Sequence, residues 1–155
     1  MLSSPINPRL LAKLLDDCQN DGIQKIVAGA VIIFKNNQIL LLERAAGEFK
    51  AGLIELPSGG VNDSETIIEG LIREVKEETN LDVLNVTDYL GFFDYLSSTG
   101  RKTRQLNFSV ITEPGEIQIN PIEHASYIML EPTNHNLQNL NISEQTKMVV
   151  KKIIT

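Results

Sequence analysis

The chain has 155 residues, 42% of them hydrophobic, and a formal net charge of −6. That length can bury one core without a structural metal, and the acidic balance argues against nonspecific nucleic-acid or anionic-membrane binding, although phosphate ligands stay open where metal ions intervene. One cysteine, no apolar run of about 18 residues and no signal-peptide order in MLSSPINPRL together suggest a single soluble, cytoplasmic domain over residues 1–155.

In chain order, NPRLLAKLLDDCQNDG reads as an opening helix over about residues 7–21. Asn7 is its cap, Pro8 takes the first helical position and Gly22 terminates it. Leu10, Leu11, Leu14 and Leu15 fall at helical spacing, and Cys18 on the same helix reads as packing. KIVAGAVIIF and QILLLER flank KNN and predict a hairpin. AAGEFKAGLIELPSGGVNDS follows as a long Gly- and Pro-containing loop, of a length that is usually functional. A helix is expected from about Glu65 to Thr79. LDVLNVTDYLGFFDYL and TRQLNFSVIT read as strands around SSTGRK, ASYIML as a further strand, and SEQTKMVVKKI as a closing helix capped by Ser143. This mixture predicts an α/β or α+β fold with helices on both faces of a sheet.

The segment REVKEETN, residues 73–80, raises a physical question. At about 100° per residue, Glu78 lies about 40° to one side of Glu74 and Glu77 about 60° to the other, so three carboxylates share one face. Ile68, Leu71, Ile72 and Val75 form a separate apolar stripe, and the acidic face borders it. Like charges at i,i+4 cost about 0.2–0.5 kcal/mol, and a divalent cation between them reverses that sign. On its own, such a run is commonly just a solvated helix face.

The surrounding spacing decides between these readings. Gly59, Glu65, Arg73, Glu74, Val75, Glu77, Glu78 and Leu81 stand at the positions of G-x5-E-x7-R-E-U-x-E-E-x-G-U, with Asn80 in place of the last glycine. Residues 59–81 thus resemble the Nudix box of the MutT-like hydrolases. Asparagine is the side chain best suited to the left-handed backbone expected where the helix closes. Gly70, where alanine is frequent in the family, costs about 1 kcal/mol of helix propensity.

The resemblance implies the Nudix fold, a mixed sheet sandwiched between helices, and a Mg²⁺- or Mn²⁺-dependent hydrolase of a nucleoside diphosphate linked to another moiety. It implies Glu74 and Glu78 as metal ligands, with Glu77 contributing directly or through water, and Arg73 orienting the cluster through Glu65. Glu65 also reads as a first-turn acid favouring the helix dipole. Gly59 and Gly60 allow close approach of metal and phosphate. EHASYIML places Glu123 as general base or ligand, ahead of Glu113 and Glu116, and Arg44 stands where a phosphate-contacting arginine is frequent. Arg101, Lys102 and Arg104 read as a solvated hairpin, His124 and His135 as isolated and metal-free. Phe49, Tyr95 and Phe108 are candidate stacking platforms in a chain without tryptophan. A homodimer is compatible with this reading. The competing reading is a catalytically silent Nudix domain that senses a nucleotide or binds a protein, although sensors of this kind typically lose box carboxylates and none is missing here.

Overall fold

A computed structural model describes residues 6–154; residues 1–5, which belong to the segment read for a leader peptide, lie outside the described residues. The elements are α1 (Pro8–Asn20), β1 (Lys25–Ile32), β2 (Ile39–Arg44), β3 (Ile54–Glu55), β4 (Ser58–Gly60), α2 (Ile67–Thr79), β5 (Val83–Leu96), β6 (Lys102–Thr112), β7 (His124–Leu130), α3 (Asn134–Leu137) and α4 (Glu144–Lys151). The fold is mixed α+β, as expected, with its strands divided between two sheets of order β4-β1-β6-β5 and β3-β2-β7. β1 runs parallel to β6, and every other pairing is antiparallel.

The predicted hairpin at KNN is corrected by this arrangement. The turn forms, with Phe34 N–H donating to Gln38 O and Asn37 in the left-handed region at φ 63°. Beyond the bridge Ile33–Ile39, however, β1 and β2 part into different sheets. The reason is burial on both faces. Ala28, Ala30, Ile32, Leu40 and Leu42 enter one core with α1, α2 and β6, while Val31, Ile39 and Leu41 enter a second with α3 and α4. Each strand is central in its own sheet, so both of its hydrogen-bonding edges are already taken.

Two other expectations change. The long loop contains β3 and β4, and the four-residue α3 lies in a stretch for which no element was expected. The box helix begins at Ile67, where Thr66 accepts from Glu69 N–H and Glu69 accepts from Thr66 N–H. Glu65 therefore precedes the cap and is not a first-turn acid. Asn80 closes the helix at φ 69°, ψ 7°, as its chemistry predicted, and its side-chain amide donates to Glu116 O. Gly70 has a packing reason: a Cβ there would come within 3.0 Å of a Val61 methyl. Among the described residues, no helix is long and apolar enough to cross a membrane.

Candidate active site

The capping box aims α2 so that its acidic face meets β4. Ser58 N–H donates to Glu78 Oε1 at 2.6 Å, and a Cβ on Gly59 would overlap the Glu74 carboxylate. Glycine at 59 is therefore a steric requirement of the carboxylate beside it. Arg73 holds the other flank. Its Nε and Nη2 donate to Glu65, Nη1 to Glu74 and Glu77, and Nη2 also to Gly60 O. All five guanidinium N–H groups are thereby used, so Arg73 positions carboxylates and backbone and has none left for a substrate.

The opposite wall comes from the other sheet. β2 pairs with β3 at Leu42–Glu55 and with β7 at Arg44–His124, across an irregularity between Glu43 and Arg44. This register lines up a chain of side chains. Arg44 Nε and Nη2 donate to Glu55 Oε1, Glu55 Oε2 lies 2.9 Å from His124 Nε2, and His124 Nδ1 lies 3.8 Å from Glu78 Oε2. A cleft of about 370 Å³ separates the walls, lined by six carboxylates (Glu48, Glu55, Glu74, Glu77, Glu78 and Glu123) against Lys25 and Arg44.

That imbalance governs the electrostatics. Glu78 is 8% exposed, and its carboxyl is pushed up to about 9. Burial is the main cause; the charges of Glu55, Glu74 and Glu123 add to it, and the Ser58 N–H opposes it. Glu74 is raised as well, by burial first, with Arg73 opposing and Glu77 and Glu123 reinforcing. Glu65, outside the cleft lining, goes the other way to about 2, through the Arg73 hydrogen bonds and then Asn62 N–H.

The structure brings Glu74, Glu77, Glu78, Gly59, Gly60, Arg44 and Glu123 together in this cleft. Glu113 and Glu116 are exposed and outside its lining, and IQI after Glu116 forms no strand. His124 is not isolated: it is 3% exposed, lines the cleft, and contributes a ring nitrogen to a group with Glu78 and Glu123 whose ligand atoms lie within 4.8 Å of one another. Glu55 and His124 are the residues that sequence reasoning missed. Glu55 lies inside the long loop read as functional and His124 inside EHASYIML, but nothing in either segment shows that they touch across 69 residues. His135 is exposed on α3.

Arg104 is likewise no solvated residue. At 4% exposure it pairs with Asp94 and Asp21 and stacks over Phe92. Phe108 is fully buried and drops out as a stacking platform, whereas Phe49 and Tyr95 line a second lobe of about 270 Å³. The two lobes share Lys25, Arg44, Glu48, Glu55, Ser58 and Tyr95.

Residues 24–147 match the NUDIX domain family. The chain is 41% identical over 80 residues to an ADP-ribose pyrophosphatase from Methanocaldococcus jannaschii, covering 52% of this chain and 44% of that one. It is 34% identical over 61 residues to an 8-oxo-dGTP diphosphatase from Proteus vulgaris, covering 39% and 54% respectively. The chain spans from about a sixth to about half the length of the curated relatives it matches. Among solved structures, a MutT NUDIX hydrolase from Burkholderia pseudomallei superposes with a TM-score of 0.71 at 20% identity, over 84% of this chain and 98% of that one.

Proposed function

Because the chain belongs to the Nudix family, we propose that it is a metal-dependent pyrophosphohydrolase acting on a nucleoside diphosphate linked to another moiety. The observation that carries this reading is the convergence of Glu74, Glu78 and Glu123 on one cleft, where burial and mutual repulsion raise Glu74 and Glu78. The donors fit a hard divalent cation. They are predominantly carboxylate oxygens, and the site lacks the positive charge that would otherwise balance them.

A bound Mg²⁺ or Mn²⁺ supplies neutralisation of the diphosphate and acidification of a water. Glu74 and Glu78 hold the cation, and Glu77, at the exposed edge, contributes directly or through water. Arg73 fixes Glu74 and Glu77 in place through the hydrogen bonds described above. Gly59 and Gly60 admit phosphate against the backbone of β4. Arg44 engages only three of its five N–H groups with Glu55 and Phe49 O among the described residues, which leaves donors for a phosphate oxygen. Glu123, exposed at the start of β7, accepts the proton of the attacking water.

The second lobe receives the remainder of the substrate. Phe49, Phe93 and Tyr95 offer aromatic surface there, and Ser97, Gln105 and Gln145 offer neutral hydrogen-bonding groups. ADP-ribose, nucleotide sugars, dinucleoside polyphosphates and nucleoside triphosphates form the assay panel, each with and without Mg²⁺. Phosphorylated products released from at least one of them, and lost in excess EDTA, are expected. Hydrolysis undiminished by EDTA would sink the metal mechanism, and binding without turnover across the panel would favour a sensor.

A further inference from the structure

We propose that His124 is a nitrogen ligand of the cation site, presented by Glu55, and that it biases the site toward divalent transition-metal cations over Mg²⁺. The inference rests on the cleft being a cation site, as read above.

The tautomer comes first. Glu55 Oε2 lies 2.9 Å from His124 Nε2, and a carboxylate can only accept, so Nε2 carries the proton. In the neutral ring, Nδ1 is then a bare lone pair. That atom is buried without a hydrogen-bond partner, on a side chain 3% exposed. Such an orphaned acceptor requires an explanation. It faces Glu78 Oε2 at 3.8 Å, too far for a hydrogen bond, so the nearest polar group leaves it unsatisfied and the two are held apart by a gap.

A cation between them resolves both facts. Ligand distances of about 2.1 Å on each side span up to about 4.2 Å, so the observed gap can be bridged without movement. No separation within the group formed with Glu78 and Glu123 exceeds 4.8 Å. Glu123 is exposed, and a rotamer adjustment of its side chain can close the excess. A histidine ligand whose second nitrogen donates to a carboxylate is the common arrangement at protein metal sites, because the carboxylate orients the ring and raises its basicity. Imidazole nitrogen suits transition metals, while Mg²⁺ prefers an all-oxygen octahedron, and this difference carries the predicted bias.

The test is pulsed electron paramagnetic resonance of the full chain loaded with Mn²⁺. Only two histidines are present, His124 and His135. A directly bound imidazole should give ¹⁴N modulation that converts to ¹⁵N when histidine is labelled and persists in His135→Gln. In His124→Gln the modulation should vanish. The Mn²⁺ dissociation constant should rise at least about tenfold there, and the Mg²⁺ constant less. Should that variant fail to fold, labelling of the unaltered chain with the His135→Gln control decides alone. Bound Mn²⁺ without imidazole coupling would overturn the ligand assignment and leave the carboxylate site standing. Failure of the unaltered chain to bind either cation would overturn both.

Discussion

Two arginine-centred clusters divide the polar interior, and they differ in how their charges close. Arg104 sits between Asp94 and Asp21 with its guanidinium over Phe92, and Asp94 is held below its usual carboxylate range by that arginine. The cluster is self-contained and lines neither lobe of the cleft. Arg73 also collects carboxylates, but among the described residues no Lys or Arg lies within salt-bridge reach of Glu78 or Glu123, and only His124 approaches Glu78. Burial first, and the neighbouring carboxylates after it, move the Glu78 carboxyl up to about 9. A buried arginine with matched acids serves stability, whereas an excess of acids around one arginine marks a place where a cation from outside completes the balance.

The largest expected effect tests that contrast directly. Glu78→Gln should lower turnover at saturating Mg²⁺ by at least about a hundredfold, consistent with loss of a charged group at the reacting centre. Circular dichroism should show the fold retained. Near-normal turnover would place the cation elsewhere and dissolve the contrast.

Next in size is the base. Glu123→Gln should reduce turnover by about 10²–10⁴-fold, while Glu113→Gln and Glu116→Gln change it little. If Glu123→Gln is silent and Glu116→Gln is not, the exposed loop before β7 has been misread. If all three are silent, Glu77 becomes the leading base.

Stability should separate the two clusters in the opposite sense. Arg104→Met should destabilise by about 1–3 kcal/mol, below the value for a fully buried pair because Asp94 and Asp21 remain partly hydrated. Metal affinity should be unaffected, as titration calorimetry would show. A variant with lowered metal affinity and normal stability would reverse the roles assigned to the clusters.

A smaller effect concerns pH. The Glu78 carboxyl releases its proton near 4.5 when unfolded and near 9 when folded. Across that window the folded state binds more protons, so stability without metal should fall as pH rises from about 5 to 9. Glu78→Gln should flatten this slope and leave the metal-free melting temperature at pH 8 level or higher. A steeper slope in the variant would place the titrating group elsewhere.

The smallest effect belongs to the helix end. Asn80→Ala should cost about 1–2 kcal/mol for a left-handed backbone, whereas Asn80→Gly should change stability by less than about 1 kcal/mol. Relief of left-handed backbone strain at glycine offsets loss of the Asn80–Glu116 hydrogen bond and the added entropy cost of ordering glycine. Equal cost for both would assign the whole effect to that bond.

The sequence by itself determined much of the geometry that is local, although it missed α3 and the Thr66 cap. Helical periodicity placed Glu74, Glu77 and Glu78 on one face, the family resemblance implied the pairing of Arg73 with Glu65, and asparagine chemistry anticipated the left-handed backbone at Asn80, φ 69°. These results depend on separations of a few residues along a helix or turn, which chain geometry transmits unaided. Only the tertiary structure decided that β1 and β2 part into two sheets, that Arg104 is buried, and that Glu55, His124 and Glu78 meet. Each of those depends on register between strands distant in sequence, and slipping β2 against β7 by one residue would turn His124 to the opposite face. Burial of apolar side chains on both faces sets that register, and it is a property of the packed sheets that no single segment carries.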